Sequence, residues 1–206
     1  MARRFLRSLA AATCVALIPA VAQAHLVVTG MGPIYDGIDH FGLSPEDSVP
    51  VVALAFFAGL RGAATARLLL AALPLAWLAG GLIALSGVAI PAAGLSVATA
   101  VAFLAIGGLL AANVRLPPAV SAAAAIGLGL LRGFADLSGT AFSGGHLLTL
   151  AGMGASVFVV FALAASLTLP LKRFWMIIAI RVGGSWLAAL GLLLAGWAWR
   201  YGARAF

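Results

Sequence analysis

Six apolar stretches, each about as long as a membrane-spanning helix, constrain the fold most strongly. They run over residues 45–64, 66–86, 92–113, 117–135, 146–169 and 174–198. A helix needs about 20 mostly apolar residues to cross the hydrocarbon core of a bilayer. The apolar residues are continuous, whereas the strands of a β-barrel alternate, and lipid allows only helices and closed barrels to satisfy the backbone. The sequence therefore predicts an all-α, polytopic membrane bundle of six transmembrane helices.

The composition excludes a water-soluble fold. Only 8% of the residues are charged and the mean hydropathy is +1.17, whereas a soluble domain carries about 25% charged residues to keep its surface wetted. The net charge of +7 does not indicate nucleic-acid binding, because the basic residues are scattered singly rather than gathered into a stripe. The predicted partner is the lipid bilayer, without nucleic acid, and a homo-oligomer is left open.

Residues 1–24 have the pattern of a cleavable secretory signal peptide. Three arginines precede the apolar residues 9–22, and Ala22-Gln23-Ala24 forms a small-x-small cleavage site. Cleavage would leave residues 25–206 as a single membrane domain that begins with His25, whose imidazole and free α-amine could chelate a metal ion. The alternatives are an uncleaved signal anchor and a frayed terminus without a ligand role.

The basic residues predict the orientation, because short cytoplasmic loops concentrate Lys and Arg. With the mature N-terminus outside, the outer loops over residues 25–44, 87–91 and 136–145 hold no Lys or Arg. The inner-loop residues are Arg61, Arg67, Arg115, Lys172 and Arg173. The sequence thus predicts a multi-pass protein of the bacterial inner membrane with an extracytoplasmic N-terminus. Arg200 and Arg204, in the C-terminal tail, depart from the rule.

All acidic residues and two of the three histidines fall on this predicted outer side. They are Asp36, Asp39, His40, Glu46, Asp47, Asp136 and His146. Asp and Glu have little topological preference of their own. Their complete segregation therefore indicates a cation entrance above the apolar bundle.

The segment from Tyr35 to His40 is the densest polar cluster. In a helix, Asp36 and His40 are four residues apart and share a face, with Asp39 adjacent. Carboxylate and imidazole together suit Ni²⁺, Co²⁺, Zn²⁺ or Mn²⁺. A solvated loop is the alternative, because Ser44-Pro45-Glu46-Asp47 has the pattern of an N-cap that starts the first long helix.

Four further polar residues are candidates for ion pairing, gating or ligation. Arg132 and Asp136 are four residues apart, which is the spacing of a structural ion pair, with a transport role as the alternative. Arg181 lies inside the last span and needs a partner, for which Asp39 or Asp136 is the candidate. His146 opens the fifth span, either as a metal ligand or as a polar cap.

The chain resembles the HupE/UreJ family, small membrane proteins that are linked to hydrogenase and urease maturation and regarded as nickel permeases. A signal ending in Ala-Gln-Ala-His, six spans with similar loops and two motif regions carry the resemblance over nearly the whole chain. The family's first motif, HPxxGxDH, corresponds to residues 33–40. Gly37, Asp39 and His40 match it, but the leading His-Pro is Pro-Ile here.

The family's second motif, His-Gly-x-Ala-His, corresponds to residues 132–136. Gly133 and Ala135 match, but Arg132 and Asp136 stand where the family has histidines. Two histidines four residues apart can hold one metal ion, whereas Arg and Asp at that spacing bind each other. Arg181 with the glycine pair that follows it is similar to an Arg-x-Gly feature of the family's last span.

The resemblance thus implies a metal site that retains Asp39 and His40, with Asp36, His146 and His25 as candidate substitutes. We expect Asp39 and His40 to lie near Asp136 and His146 at the outer mouth.

We expect a permease for a divalent ion, nickel or cobalt, that enters from the extracytoplasmic side, without a resident cofactor. The alternative is a non-transporting metal sensor or accessory protein for a metalloprotein, which the replaced histidines favour. No enzymatic activity is expected. Ser143 and His146 lack an acid to orient the base, and His40 with Asp136 falls short of the three ligands of a hydrolytic metal.

Overall fold

The computed structural model describes residues 30–140, 143–170 and 173–201, which form seven α-helices and contain no β-strand. The helices are α1 (Pro33–Leu43), α2 (Pro45–Arg61), α3 (Ala63–Leu85), α4 (Ala92–Ala112), α5 (Pro118–Leu137), α6 (Gly144–Thr168) and α7 (Phe174–Tyr201). The predicted signal peptide, His25 and Lys172 lie outside the described residues. The predicted all-α bundle is confirmed.

Five helices, α3 to α7, are each long and apolar enough to span a membrane. Helices α1 and α2 meet that criterion only together, and they are bent by 73° relative to each other. Counting this pair as one broken span gives the predicted six. The predicted first span, residues 45–64, is nevertheless divided differently, because α2 ends at Arg61 and α1 supplies the remaining length.

Ser44 and Pro45 cause the bend between α1 and α2. Ser44 has an extended backbone, with φ −97° and ψ 97°, and Pro45 is the first residue of α2. The proline ring disfavours a helical conformation for the residue before it, so α1 cannot continue through Ser44. The N-cap position predicted for Ser44 is confirmed. Residues 35–40 lie within α1, so the loop interpretation of this segment is wrong.

Helix α2 is the centre of the bundle and contacts each of the other six helices. Its fully buried side chains, including Leu54 and Phe57, pack with Trp77 of α3 and Phe161 of α6. Around α2, the pairs α3–α5 and α4–α7 form the most extensive interfaces. Glycines let these backbones approach closely, as is common between membrane helices.

The two ends of α2 have opposite electrostatic character. Its first turn, with Glu46 and Asp47, meets the last turns of α1 and α5, and the other three acidic residues of the chain, Asp36, Asp39 and Asp136, lie on those two helices. We name this the acidic end. At its other terminus Arg61 contacts the turn after α4, and we name this the basic end.

Candidate metal site

The bend places the imidazole of His40 beside the carboxylate of Asp47. His40 lies in the last turn of α1, and its carbonyl oxygen accepts a hydrogen bond from the Ser44 N–H at 3.0 Å. Asp47 lies in the first turn of α2. The His40 Nε2 and Asp47 Oδ2 atoms are 3.8 Å apart. In an unbroken helix, two residues seven positions apart would be separated by about 10 Å along the axis.

Helix α5 brings Arg132 and Asp136 to the same place. Arg132 donates through Nε to Asp47 Oδ1 at 2.6 Å and through Nη2 to Asp136 Oδ1 at 3.2 Å. Its Nη2 also lies 3.4 Å from Glu46 Oε1. Its Nη1 donates to Thr99 Oγ1 of α4 at 3.4 Å. One buried guanidinium thus links α5, α2 and α4.

Two glycines of the motif regions position these side chains. A Cβ on Gly37 would overlap the carbonyl oxygen of Thr149 in α6, so Gly37 lets α1 lie directly on α6, one turn before His40. A Cβ on Gly133 would overlap the carbonyl oxygen of Trp77, so this glycine seats α5 on α3 between Arg132 and Asp136. The glycines therefore set the helix spacing that the polar residues need.

Three of the polar residues form a cluster with the geometry of a metal site. His40, Asp47 and Asp136 each offer one ligand atom, and these atoms all lie within 4.8 Å of one another. The His40 Nε2 and Asp136 Oδ1 atoms are 3.9 Å apart. Ligands that are each about 2.1 Å from a metal cannot be more than about 4.2 Å apart, and both His40–Asp distances satisfy this limit.

The buried carboxylates have unused ligand capacity. Arg132 binds Oδ1 of both aspartates, while Oδ2 of Asp47 and Oδ2 of Asp136 are buried and accept no hydrogen bond from any described residue. A buried polar atom without a partner costs about 1–3 kcal/mol, and more when it is charged. A cation that bound these oxygens would remove that cost. The donor set therefore fits a divalent ion.

Exposure and charge indicate how an ion would reach the cluster. The Asp47 and Asp136 side chains are 0% and 2% exposed, whereas His40 is 19% exposed. Three carboxyl groups, those of Asp47, Asp136 and the largely exposed Glu46, lie around the single guanidinium of Arg132. The accessible ligand of the site is the imidazole.

The other predicted ligands lie outside this three-residue cluster. Asp36 and Asp39 are half-buried on α1. His146 is in the first turn of α6, where its Nδ1 lies 2.9 Å from the Oγ of Ser143, and that Oγ accepts the His146 N–H. Ser143 is thus the N-cap of α6, and His146 takes part in this capping arrangement. The ligand roles of these residues, and of His25 outside the described part, stay predictions.

The expectation of an acidic partner for Arg181 is not met in the described residues. Arg181 donates through Nε to the carbonyl oxygen of Ala111 in α4 at 2.8 Å, and no described carboxylate lies within 4.0 Å of it. This main-chain oxygen accepts a hydrogen bond from one of the five N–H groups of the guanidinium and does not neutralise its charge. This contact joins α7 to α4.

Sequence reasoning missed Asp47 as a candidate ligand. It placed Asp47 on the outer side but interpreted it as part of a helix start. The available signal was Pro45, because a proline that interrupts the path from α1 to α2 turns the next acid back toward the end of α1.

The family model for "HupE / UreJ protein" matches residues 13–194. The chain belongs to this family. The matched range includes both motif regions and all the residues of the site. No curated protein and no solved structure matches the chain, so the role of this HupE/UreJ protein has to be argued from its own geometry.

Proposed function

We propose that the protein is a permease for a divalent metal ion, nickel or cobalt, and that His40, Asp47 and Asp136 form its entry site. The observation that carries this proposal is the convergence of two buried carboxylates on an imidazole within a membrane bundle, where each carboxylate keeps one oxygen without a hydrogen bond from a described residue. Ionisable groups at membrane depth are costly and mark ion pathways by default. Membership of the HupE/UreJ family supports the same conclusion.

Binding begins at the exposed side of the site. The ion exchanges some of its water for His40 Nε2 and then for the unused oxygens of the two aspartates. His40 and Asp136 lie in the last turns of α1 and α5, where the carbonyl groups of a helix end carry partial negative charge. Both helix termini therefore favour a cation over a neutral occupant.

The ion is the substrate, and its route inward would pass the buried rings of Phe41 and Trp77. Phe41 and Trp77 are 2% and 0% exposed, and their rings are in edge-to-face contact with centroids 5.9 Å apart. Passage would require these rings to separate, and a change in the angle between α1 and α2 at Ser44 would move Phe41 away from Trp77. In the predicted orientation, an inside-negative potential of about 100 mV favours entry of two charges by about 4–5 kcal/mol.

Uptake of radioactive nickel into proteoliposomes tests this proposal. The wild-type protein should accumulate nickel with time, and His40→Ala should lower the initial rate at least about tenfold, which corresponds to about 1.4 kcal/mol. Tyr35→Ala, on the exposed part of the same helix, is the matched control and should transport normally. Equal rates for His40→Ala and the wild type would refute the entry site.

A non-transporting metal sensor or accessory protein is the second candidate. The observation that favours it is Arg132, which already binds Oδ1 of both carboxylates and puts a positive charge beside the site. The same vesicles separate the two functions. Nickel that binds stoichiometrically at equilibrium, without accumulating in the lumen, would support the sensor and refute the permease.

A further inference from the structure

The basic end of the bundle contains a polar cleft that is separate from the metal site. Its volume is about 200 Å³, and its polar lining residues are Arg61, Asn113, Arg115 and Thr168. Leu169 and Ile177 form part of its apolar wall. The cleft thus joins a cationic surface to an apolar one at the end of membrane-length helices.

Three hydrogen bonds and one aromatic contact fix the position of Arg61 in this cleft. Its Nη1 donates to Asn113 Oδ1 at 2.8 Å, and its Nε and Nη2 both donate to the carbonyl oxygen of Val114. Its guanidinium also stacks over the Phe57 ring, 4.5 Å from the centroid. Asn113 allows this arrangement because it ends α4 in the left-handed conformation, with φ 53°. A guanidinium has five N–H donors, so two remain for a ligand.

Among the described residues, the positive charge of the cleft has no acidic partner. Arg61 and the exposed Arg115 line the same cleft and repel each other. Two further arginines lie at the same end. Arg67 is near the start of α3, and Arg173 directly precedes α7. All five Asp and Glu residues lie elsewhere, on α1, in the first turn of α2 and in the last turn of α5. Two arginines that line one cleft, without a described carboxylate beside them, form a site that an external anion would complete.

We propose that this cleft binds the phosphate of an anionic phospholipid, with Arg61 and Arg115 on the phosphate and Leu169 and Ile177 against the acyl chain. Guanidinium groups pair with phosphate through parallel, charge-assisted hydrogen bonds. Basic pockets between membrane helices bind anionic headgroups in this way. Phospholipid is the source of phosphate that also matches the apolar wall. The lipid would join the termini of α2, α4, α6 and α7.

Native mass spectrometry of the full-length protein in detergent tests the proposal. Phosphatidylglycerol and phosphatidylcholine with identical acyl chains are titrated separately. The protein should retain one phosphatidylglycerol with an apparent affinity at least about tenfold higher than for phosphatidylcholine. Arg115→Gln should abolish this preference. Arg67→Gln removes the same charge from the same end but outside the cleft, and should retain it.

Two results would overturn the proposal. Equal loss of preference in Arg115→Gln and Arg67→Gln would mean that a diffuse positive surface, not this cleft, attracts the lipid. Displacement of bound phosphatidylglycerol by millimolar inorganic phosphate would mean that the cleft recognises free phosphate. Size-exclusion profiles that match the wild type ensure that the variants are folded when they are compared.

Discussion

Arg132 is the residue that most distinguishes this metal site from one built of histidines. Its guanidinium is 6% exposed and binds both aspartates that would otherwise be free to hold an ion. A fixed positive charge beside a cation site lowers the affinity for the cation. The two aspartates in turn keep the buried guanidinium paired. Arg132 therefore stabilises the site without an ion and would compete with an ion that binds there.

Arg132→His should raise the affinity for nickel at least about tenfold, or about 1.4 kcal/mol. The substitution removes the competing charge and places an imidazole four residues before Asp136, on the same face of α5. Isothermal titration calorimetry of the detergent-solubilised protein measures the change. Arg132→Lys, which keeps the charge, is the control. If both variants bind nickel equally, charge competition is not the reason.

The same substitution should destabilise the protein in the absence of metal. Asp47 is fully buried, and breaking a buried ion pair by removing one partner costs about 3–5 kcal/mol. Thermal unfolding with and without nickel should show a lower Tm for metal-free Arg132→His than for the wild type, and a larger recovery on adding nickel. A variant that melts like the wild type without metal would contradict the structural role of the pair.

At the scale of helices, two features bring the site together: the break between α1 and α2, and the close packing of α5 on α3. The break is encoded locally by Ser44-Pro45. The packing is encoded by glycines whose positions match the contact. Each feature has a control residue in the same helix, which is Pro50 in α2 for the break and Gly127 in α5 for the packing.

Pro45→Ala should weaken nickel binding at least about tenfold while leaving the helix content unchanged. Without the proline, Ser44 can adopt a helical conformation, and straightening the pair separates His40 from Asp47. Circular dichroism and calorimetry measure the two properties. Pro50→Ala changes the other proline of α2, inside the helix, and should keep nickel binding. Unchanged binding in Pro45→Ala would show that the bend does not depend on this residue.

Gly133→Ala should lower the free energy of unfolding by about 1–3 kcal/mol, because its Cβ would overlap the backbone of Trp77. Gly127→Ala is the matched control on α5, since no atom lies within 4 Å of the added Cβ. It should be neutral or stabilising, because alanine has the higher helix propensity. Tryptophan fluorescence during thermal unfolding reports both. Equal effects of the two substitutions would contradict the close contact.

The sequence predicts some of these elements well and others poorly, for physical reasons. The bilayer fixes the length of an apolar span, so α3 to α7 follow from counting residues. The Arg132–Asp136 contact follows from helix periodicity. The Arg132–Asp47 contact joins residues 85 positions apart, and only the packing of α5 near α2 creates it. The bent pair escaped prediction because an apolar window ignores where a helix breaks.

At the scale of the whole molecule, charge divides the bundle into an acidic and a basic end. The rule that places Lys and Arg on the cytoplasmic side predicts that the basic end faces the cytoplasm. The entry site would then face outward, and the phospholipid cleft would face the inner leaflet. The side from which the ion enters and the leaflet that supplies the lipid both follow from this orientation. Binding at each site is tested by its own experiment.

Single cysteines test this orientation in a Cys14→Ser background. Ser86→Cys lies after α3 at the acidic end and Ala64→Cys lies at the start of α3 near the basic end, and both positions are exposed. A membrane-impermeant maleimide added to spheroplasts should label Ser86→Cys only. Labelling of Ala64→Cys alone would invert the orientation. Permeabilised membranes, in which both should react, provide the control.

The ligand atoms of His40, Asp47 and Asp136 come from three helices, and α5 is far from α1 and α2 in the chain. An ion seated among them would tie the beginning of the described chain to its middle. Loaded protein would consequently resist proteolysis and heating more than empty protein, by an amount that grows with the logarithm of free metal concentration. The concentration of free metal would thereby determine how stable the folded protein is.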